Sequence, residues 1–179
     1  MKYLSDQQGI MNCYLAEGEN WEPHLKKTKD FILQCLQENK YASVAVIGSG
    51  WLLDVPMDFL AENCKSVYLI DVIHPPQIIQ KIRKYENAKA VMADVTGGAI
   101  QGAYHFTRVY RKSGGESILD IPFNAAVPGM RTDYVISLNI LNQLDILLID
   151  YLKKHVEITP GEEIEFRKRI QSRMLKKEF

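Results

Sequence analysis

Ala42-Ser43-Val44-Ala45-Val46-Ile47-Gly48-Ser49-Gly50 is a short apolar run, rich in β-branched residues, that stops on two glycines separated by a serine. Too short for a typical helix and closed by a glycine, residues 42–47 read as a buried strand of a parallel sheet. The two glycines permit a tight turn and a close backbone approach to a ligand. The same pattern recurs downstream. Ser66-Val67-Tyr68-Leu69-Ile70 ends at Asp71, Ala88 to Met92 ends near Asp94, and residues 133–138 end at Asn139.

Helical spacing fills the gaps between these runs. Leu25, Phe31, Ile32, Cys35 and Leu36 mark an amphipathic helix that starts after Pro23. Asp54 is placed to cap the next helix, with Pro56 in its first turn and Phe59, Leu60 and Cys64 on one face. Pro75 and Pro76 open a third helix, and Gly97-Gly98 leads into a fourth with Ile100, Ala103, Tyr104 and Thr107 on one side. Residues 111–131 read as a long connection, of the length that tends to carry function. Two further helices follow, at about 140–154 and from about 161 onward. Strands alternating with helices predict an α/β, Rossmann-like parallel sheet with helices on both faces. No repeat or linker divides it, so residues 1–179 read as one domain. Within it, 1–40 form an N-terminal helix or lid, 42–155 the ligand-binding core and 158–179 a basic terminal helix.

Composition narrows the function classes. The 179 residues carry 22 Lys plus Arg and 22 Asp plus Glu, a formal net charge of +0. Such a balance supplies no overall pull toward nucleic acid or anionic membranes. Basic residues cluster at 167–177, but Ile164, Ile170, Met174 and Leu175 give that helix a face to bury, so nucleic acid is not expected as a partner. Five polar residues interrupt 135–152, the most apolar stretch, which excludes a membrane span there. Asp6, Gln7, Gln8 and Asn12 break up the start of the chain, so no secretory signal is read. Cys13, Cys35 and Cys64 are odd in number and unpaired by motif, and a cytoplasmic location is expected. His24, His74, His105 and His155 have no metal-site spacing, and no P-loop occurs. No metal is expected.

In open parallel sheets the ligand lies beyond the carboxyl ends of the strands, near the reversal of strand order. Gly48, Ser49, Gly50, Asp71, Asp94 and Asn139 occupy those ends and are the candidate binding residues. Asp71 stands 21 positions after Gly50, and a carboxylate there can accept hydrogen bonds from both hydroxyls of a ribose. A nicotinamide dinucleotide wants G-x-G-x-x-G and an open helix N-terminus for its pyrophosphate. Here Leu53 takes the third glycine's place, and Asp54 would repel phosphate. S-adenosylmethionine carries a sulfonium and no phosphate, so neither constraint applies to it.

Residues 44–50, 68–71, 93–94 and 133–137 together resemble the class I S-adenosylmethionine-dependent methyltransferases, over roughly residues 42–155. The resemblance implies that Gly48, Ser49 and Gly50 line the methionine and ribose of S-adenosylmethionine, and that Asp71 holds the ribose hydroxyls. It places Asp94 on the adenine amine and Asn139, with Asn142 and Gln143, near the acceptor or the amino-acid end. Val46 stands where the family often has an acid, and Leu52 where it has a third glycine. No N-P-P-aromatic motif follows the fourth strand, and strands five to seven are missing from the pattern. The strand-four edge is therefore expected to be covered by the last helix or by a second copy in a homo-oligomer.

The expected activity is methyl transfer to a small-molecule substrate, with Asn139 and Tyr14 as candidate catalytic groups and Tyr14 and Trp21 as parts of a lid. Plainer roles compete for each residue. Asn139 can cap the following helix, Asp94 can tie down its own turn through Thr96 and Gly97, and Tyr14 and Trp21 can be ordinary packing. Two other functions stay open: an NAD(P)-binding oxidoreductase-type domain, and a non-catalytic methyltransferase-like domain that binds or assembles.

Overall fold

Four short runs, the first of them rich in β-branched residues, form strands, and each pairs in parallel. A computed structural model describes residues 3–37, 42–113, 116–122, 131–138 and 140–175. Strands β1 (Ser43–Ile47), β2 (Ser66–Asp71), β3 (Ala88–Met92) and β4 (Tyr134–Ser137) form one parallel sheet in the order β3-β2-β1-β4. The order reverses between β1 and β4, which makes the carboxyl end of β1 the switch point. The chain is α/β and Rossmann-like. It divides into two compact units, Met1–Ala93 with Met130–Leu138, and Asp94–Gly129 with Asn139–Phe179.

The first unit holds the whole sheet and helices α1 (Tyr3–Gln37), α2 (Met57–Asn63) and α3 (Pro76–Ile82). Alternation along the strands sends Val44, Val46, Val67, Leu69 and Ile136 to one face. There they pack with Ile32 and Leu36 of α1, Met57 and Leu60 of α2, and Ile78 and Ile82 of α3. Ala45, Ile47 and Ile70, on the other face, are buried as well. At the amino ends of β1 and β4, Asp133 Oδ2 accepts from Ser43 N at 2.7 Å and from Ser43 Oγ at 2.9 Å. That clamp joins residues 90 positions apart and sets the register of the central pair.

Two expectations need correcting here. Helix α1 begins at Tyr3, not after Pro23, because it is two helical segments joined at Glu17, whose φ of −129° and ψ of 25° are not helical. Pro23 lies inside the second segment. Asp54 does not cap α2, whose N-cap position is Pro56 with no side-chain hydrogen bond.

The second unit is helical among its described residues, with α4 (Ala99–Ser113), a 3-10 turn at Ile118–Asp120, α5 (Ile140–Lys153) and α6 (Pro160–Leu175). Ala99, Ala103, Phe106, Ile118, Ile121, Leu148, Leu152 and Phe166 are buried in it. Ile100 and Tyr104, expected on the inner side of α4, are only half-buried, and Phe106 is buried instead. Thr159 and Glu162 form a capping box at the start of α6, with Pro160 in the first helical position. Buried Asp145 is paired with Arg167 at 2.9 Å, and Arg167 also holds Glu163 at 2.9 Å. Arg169 donates to the Leu119 carbonyl. Two cations of the basic terminal helix are thus turned into the unit's own contacts.

Candidate functional site

The loop after β1 is shaped by backbone conformations that most side chains avoid. Gly48 has φ +80° and Gly50 φ +37°, so both require or strongly favour glycine. Gly48 N donates to the Ile70 carbonyl at 2.8 Å, which ties the loop to the end of β2. Leu52, with φ +57°, also lies in the left-handed region, at the position of the missing third glycine. Its side chain is buried in the core, and that burial offsets a conformation leucine disfavours.

Asp71, at the carboxyl end of β2, reaches back to this loop. Its Oδ2 accepts from Gly50 N at 2.8 Å, Oδ1 receives a long 3.5 Å contact from Ile73 N, and the Val72 backbone N–H also bonds to the carboxyl. Burial pushes the Asp71 carboxyl above its ordinary range, against the lowering effect of the backbone hydrogen bonds and of His74. Oδ1 keeps acceptor capacity for a ligand hydroxyl. The sequence reading of Gly50 and Asp71 as neighbours is met in the geometry.

Sequence reasoning missed three members of this cluster. Ser49 Oγ lies 2.9 Å from His74 Nε2, and both residues are buried. Burial pulls the imidazole below its ordinary range, with the Asp71 charge pulling the other way. Among the described residues His74 Nδ1 is buried without a hydrogen-bond partner, so the Asp71 carboxylate does not orient the ring as it would in a catalytic triad. Trp51 Nε1 donates to the Gln7 carbonyl at 2.6 Å. The Gln7 side chain packs over Gly50: a Cβ built there would lie 3.4 Å from Gln7 Oε1 and 3.6 Å from Asp71 Oδ2. A detectable signal existed only for His74, three positions beyond Asp71 and directly before Pro75-Pro76.

The other candidates make contacts of their own. Asp94 belongs to the second unit, where its Oδ1 accepts from Thr96 N at 2.8 Å and from the Thr96 hydroxyl. It thus makes the turn-stabilising contacts anticipated as its plainer role, and Oδ2 is buried without a partner. Tyr14 meets Trp21 edge-on at 6.2 Å, and both are half-buried. Asn139 lies outside the described residues, as do the side chains of Asn142 and Gln143. The second unit also has an open cleft of about 410 Å³ lined by Tyr110, Glu116, Ser117, Glu157, Thr159 and Glu162. The Glu162 carboxylate there is held below its ordinary range by the Ser117 hydroxyl and by Thr159. Among the described residues no cluster of three metal-ligating side chains occurs, and no helix is long and apolar enough to cross a membrane.

Comparison with known protein families, with curated proteins and with solved structures gives no match for this chain.

Proposed function

We propose that the chain binds S-adenosylmethionine at the carboxyl ends of β1 and β2 and transfers its methyl group to a small molecule. The observation that carries this reading is the Asp71 carboxylate, anchored through Oδ2 to the Gly50 amide and retaining Oδ1 as an acceptor. Asp71 ends β2, next to the switch point at β1, and a carboxylate at a strand end supports recognition of a ribose diol. The strand order β3-β2-β1-β4 and the left-handed turn at Gly48, Gly50 and Leu52 support the same assignment.

A dinucleotide fits these residues less well. Six residues separate Gly50 from α2, and that helix is only seven residues long. No extended helix N-terminus follows the glycine loop to hold a pyrophosphate. Asp54, half-buried beside it in sequence, adds a like charge.

When bound, S-adenosylmethionine supplies an electrophilic methyl group on sulfur. The chain's share is to bind and orient. Gly48 and Gly50 let backbone approach the ligand, Asp71 fixes the sugar, and the buried loop excludes water. Calorimetric titration with S-adenosylmethionine, S-adenosylhomocysteine and NAD tests the reading. Saturable binding of the first two, absent in Asp71→Ala, is the expected result, and binding of NAD alone defeats it.

A further inference from the structure

Helix α1 is anchored very unevenly on either side of Glu17. Its second segment buries Leu25, Ile32 and Leu36. Its first segment buries nothing completely: of residues 5–16 only Gln7, Met11 and Tyr14 are half-buried, one seam at helical spacing, and the rest are exposed. The break at Glu17, followed by Gly18, separates the firm part from the light one. Segments with few buried apolar contacts open at low free-energy cost.

What the light segment covers is the glycine loop. The Gln7 carboxamide fills the space beside Gly50, with Oε1 and Nε2 at 3.4 and 3.5 Å from where a Cβ would stand and Asp71 Oδ2 on the same side. The Trp51 indole holds the Gln7 carbonyl. Among the described residues, however, Gln7 Oε1 is buried with no donor, so the covered state leaves a polar group unsatisfied that water would satisfy on opening.

We propose that the first segment of α1 is a displaceable plug, in which Gln7 occupies the seat beside Gly50 and Asp71 and withdraws about Glu17 when a ligand enters. This rests on the reading of that seat as the S-adenosylmethionine site. The plug lowers apparent affinity by the fraction of molecules in which the seat is free. The Trp51 bond and the half-buried Gln7–Met11–Tyr14 seam hold the segment. Ligand contacts at Asp71 Oδ1 and the loop amides compete directly with the Gln7 side chain.

The test is titration of S-adenosylhomocysteine into wild type and Gln7→Ala, joined to hydrogen exchange of the wild type with and without that ligand. Gln7→Ala is expected to bind about three- to tenfold more tightly, because the seat is free more of the time. Ligand is expected to speed amide exchange in residues 5–16 while slowing it in 48–52. Unchanged or weaker binding by Gln7→Ala, or slower exchange in residues 5–16, overturns the plug and leaves the site standing. Failure of wild type and Gln7→Ala alike to bind overturns the plug together with the site it covers.

Discussion

Leu52 shows how one residue can carry two opposed requirements. The turn asks for glycine at φ +57°, while the core asks for a leucine side chain there. Relief of left-handed strain is worth roughly 1–2 kcal/mol, whereas removing a buried leucine side chain costs about 2–5 kcal/mol. Leu52→Gly should therefore destabilise the fold by a net ~2 kcal/mol, read by denaturant unfolding; a gain in stability would mean that strain outweighs packing. His74 gives a pH signature of definite sign. Its folded pKa lies below the ordinary 6.5, so between those values the unfolded chain holds more protons than the folded one. Its contribution is complete above pH 6.5 and is lost as pH falls toward the depressed value. Asp71, raised above 3.8, acts oppositely: stability falls as pH rises through the window between 3.8 and its raised folded value. His74→Gln should flatten the loss of stability just below pH 6.5, and an unaltered profile would place the titration elsewhere. At this scale Gly48, Gly50 and Asp71 were legible because glycine spacing and a strand-end carboxylate are local signals. Gln7 was not, since nothing near residue 7 in sequence points to residue 50.

Among the elements, strand periodicity carried most of the information. The β-branched runs locate β1 to β4 to within a residue or two, and β3 has the bounds Ala88–Met92 read from sequence. Helix starts were less legible. Pro23 reads as a start signal, yet it lies inside the second helical segment, and a first segment precedes it with Gln7, Met11 and Tyr14 as a half-buried seam at helical spacing. Pro56 takes the cap position expected for Asp54, and Val55 and Met57 on either side of it are buried in the core. Helix α4 offers an element-scale prediction. Glycine in a helix interior is usually improved by alanine, by about 0.5–1 kcal/mol. At Gly102 a Cβ would stand 2.6 Å from Ile121 Cγ2 and 3.2 Å from the Pro122 carbonyl oxygen. Gly102→Ala should instead destabilise the helical unit by about 1–3 kcal/mol, seen as a lower Tm. A raised Tm would show that the 118–122 segment yields without cost.

For the whole molecule, the parallel four-stranded sheet is what the alternating pattern predicts, its order β3-β2-β1-β4 is a finding of the structure, and only helices follow β4 among the described residues. Division of the chain into two compact units was not legible, because the boundaries at residues 93–94 and 138–139 fall beside strand ends without a change of composition. Among the described residues β4 pairs with β1 alone, so its outer edge has no strand partner there. The S-adenosylmethionine seat proposed at Asp71 and the glycine loop stands or falls on ligand binding. Calorimetry of S-adenosylhomocysteine against wild type and Asp71→Ala, with NAD as the competing ligand, tests it most directly. Saturable one-to-one binding by wild type, weakened at least about tenfold in Asp71→Ala, with no heat from NAD, is the expected result. Equal binding by Asp71→Ala, or heat from NAD and none from S-adenosylhomocysteine, would contradict it.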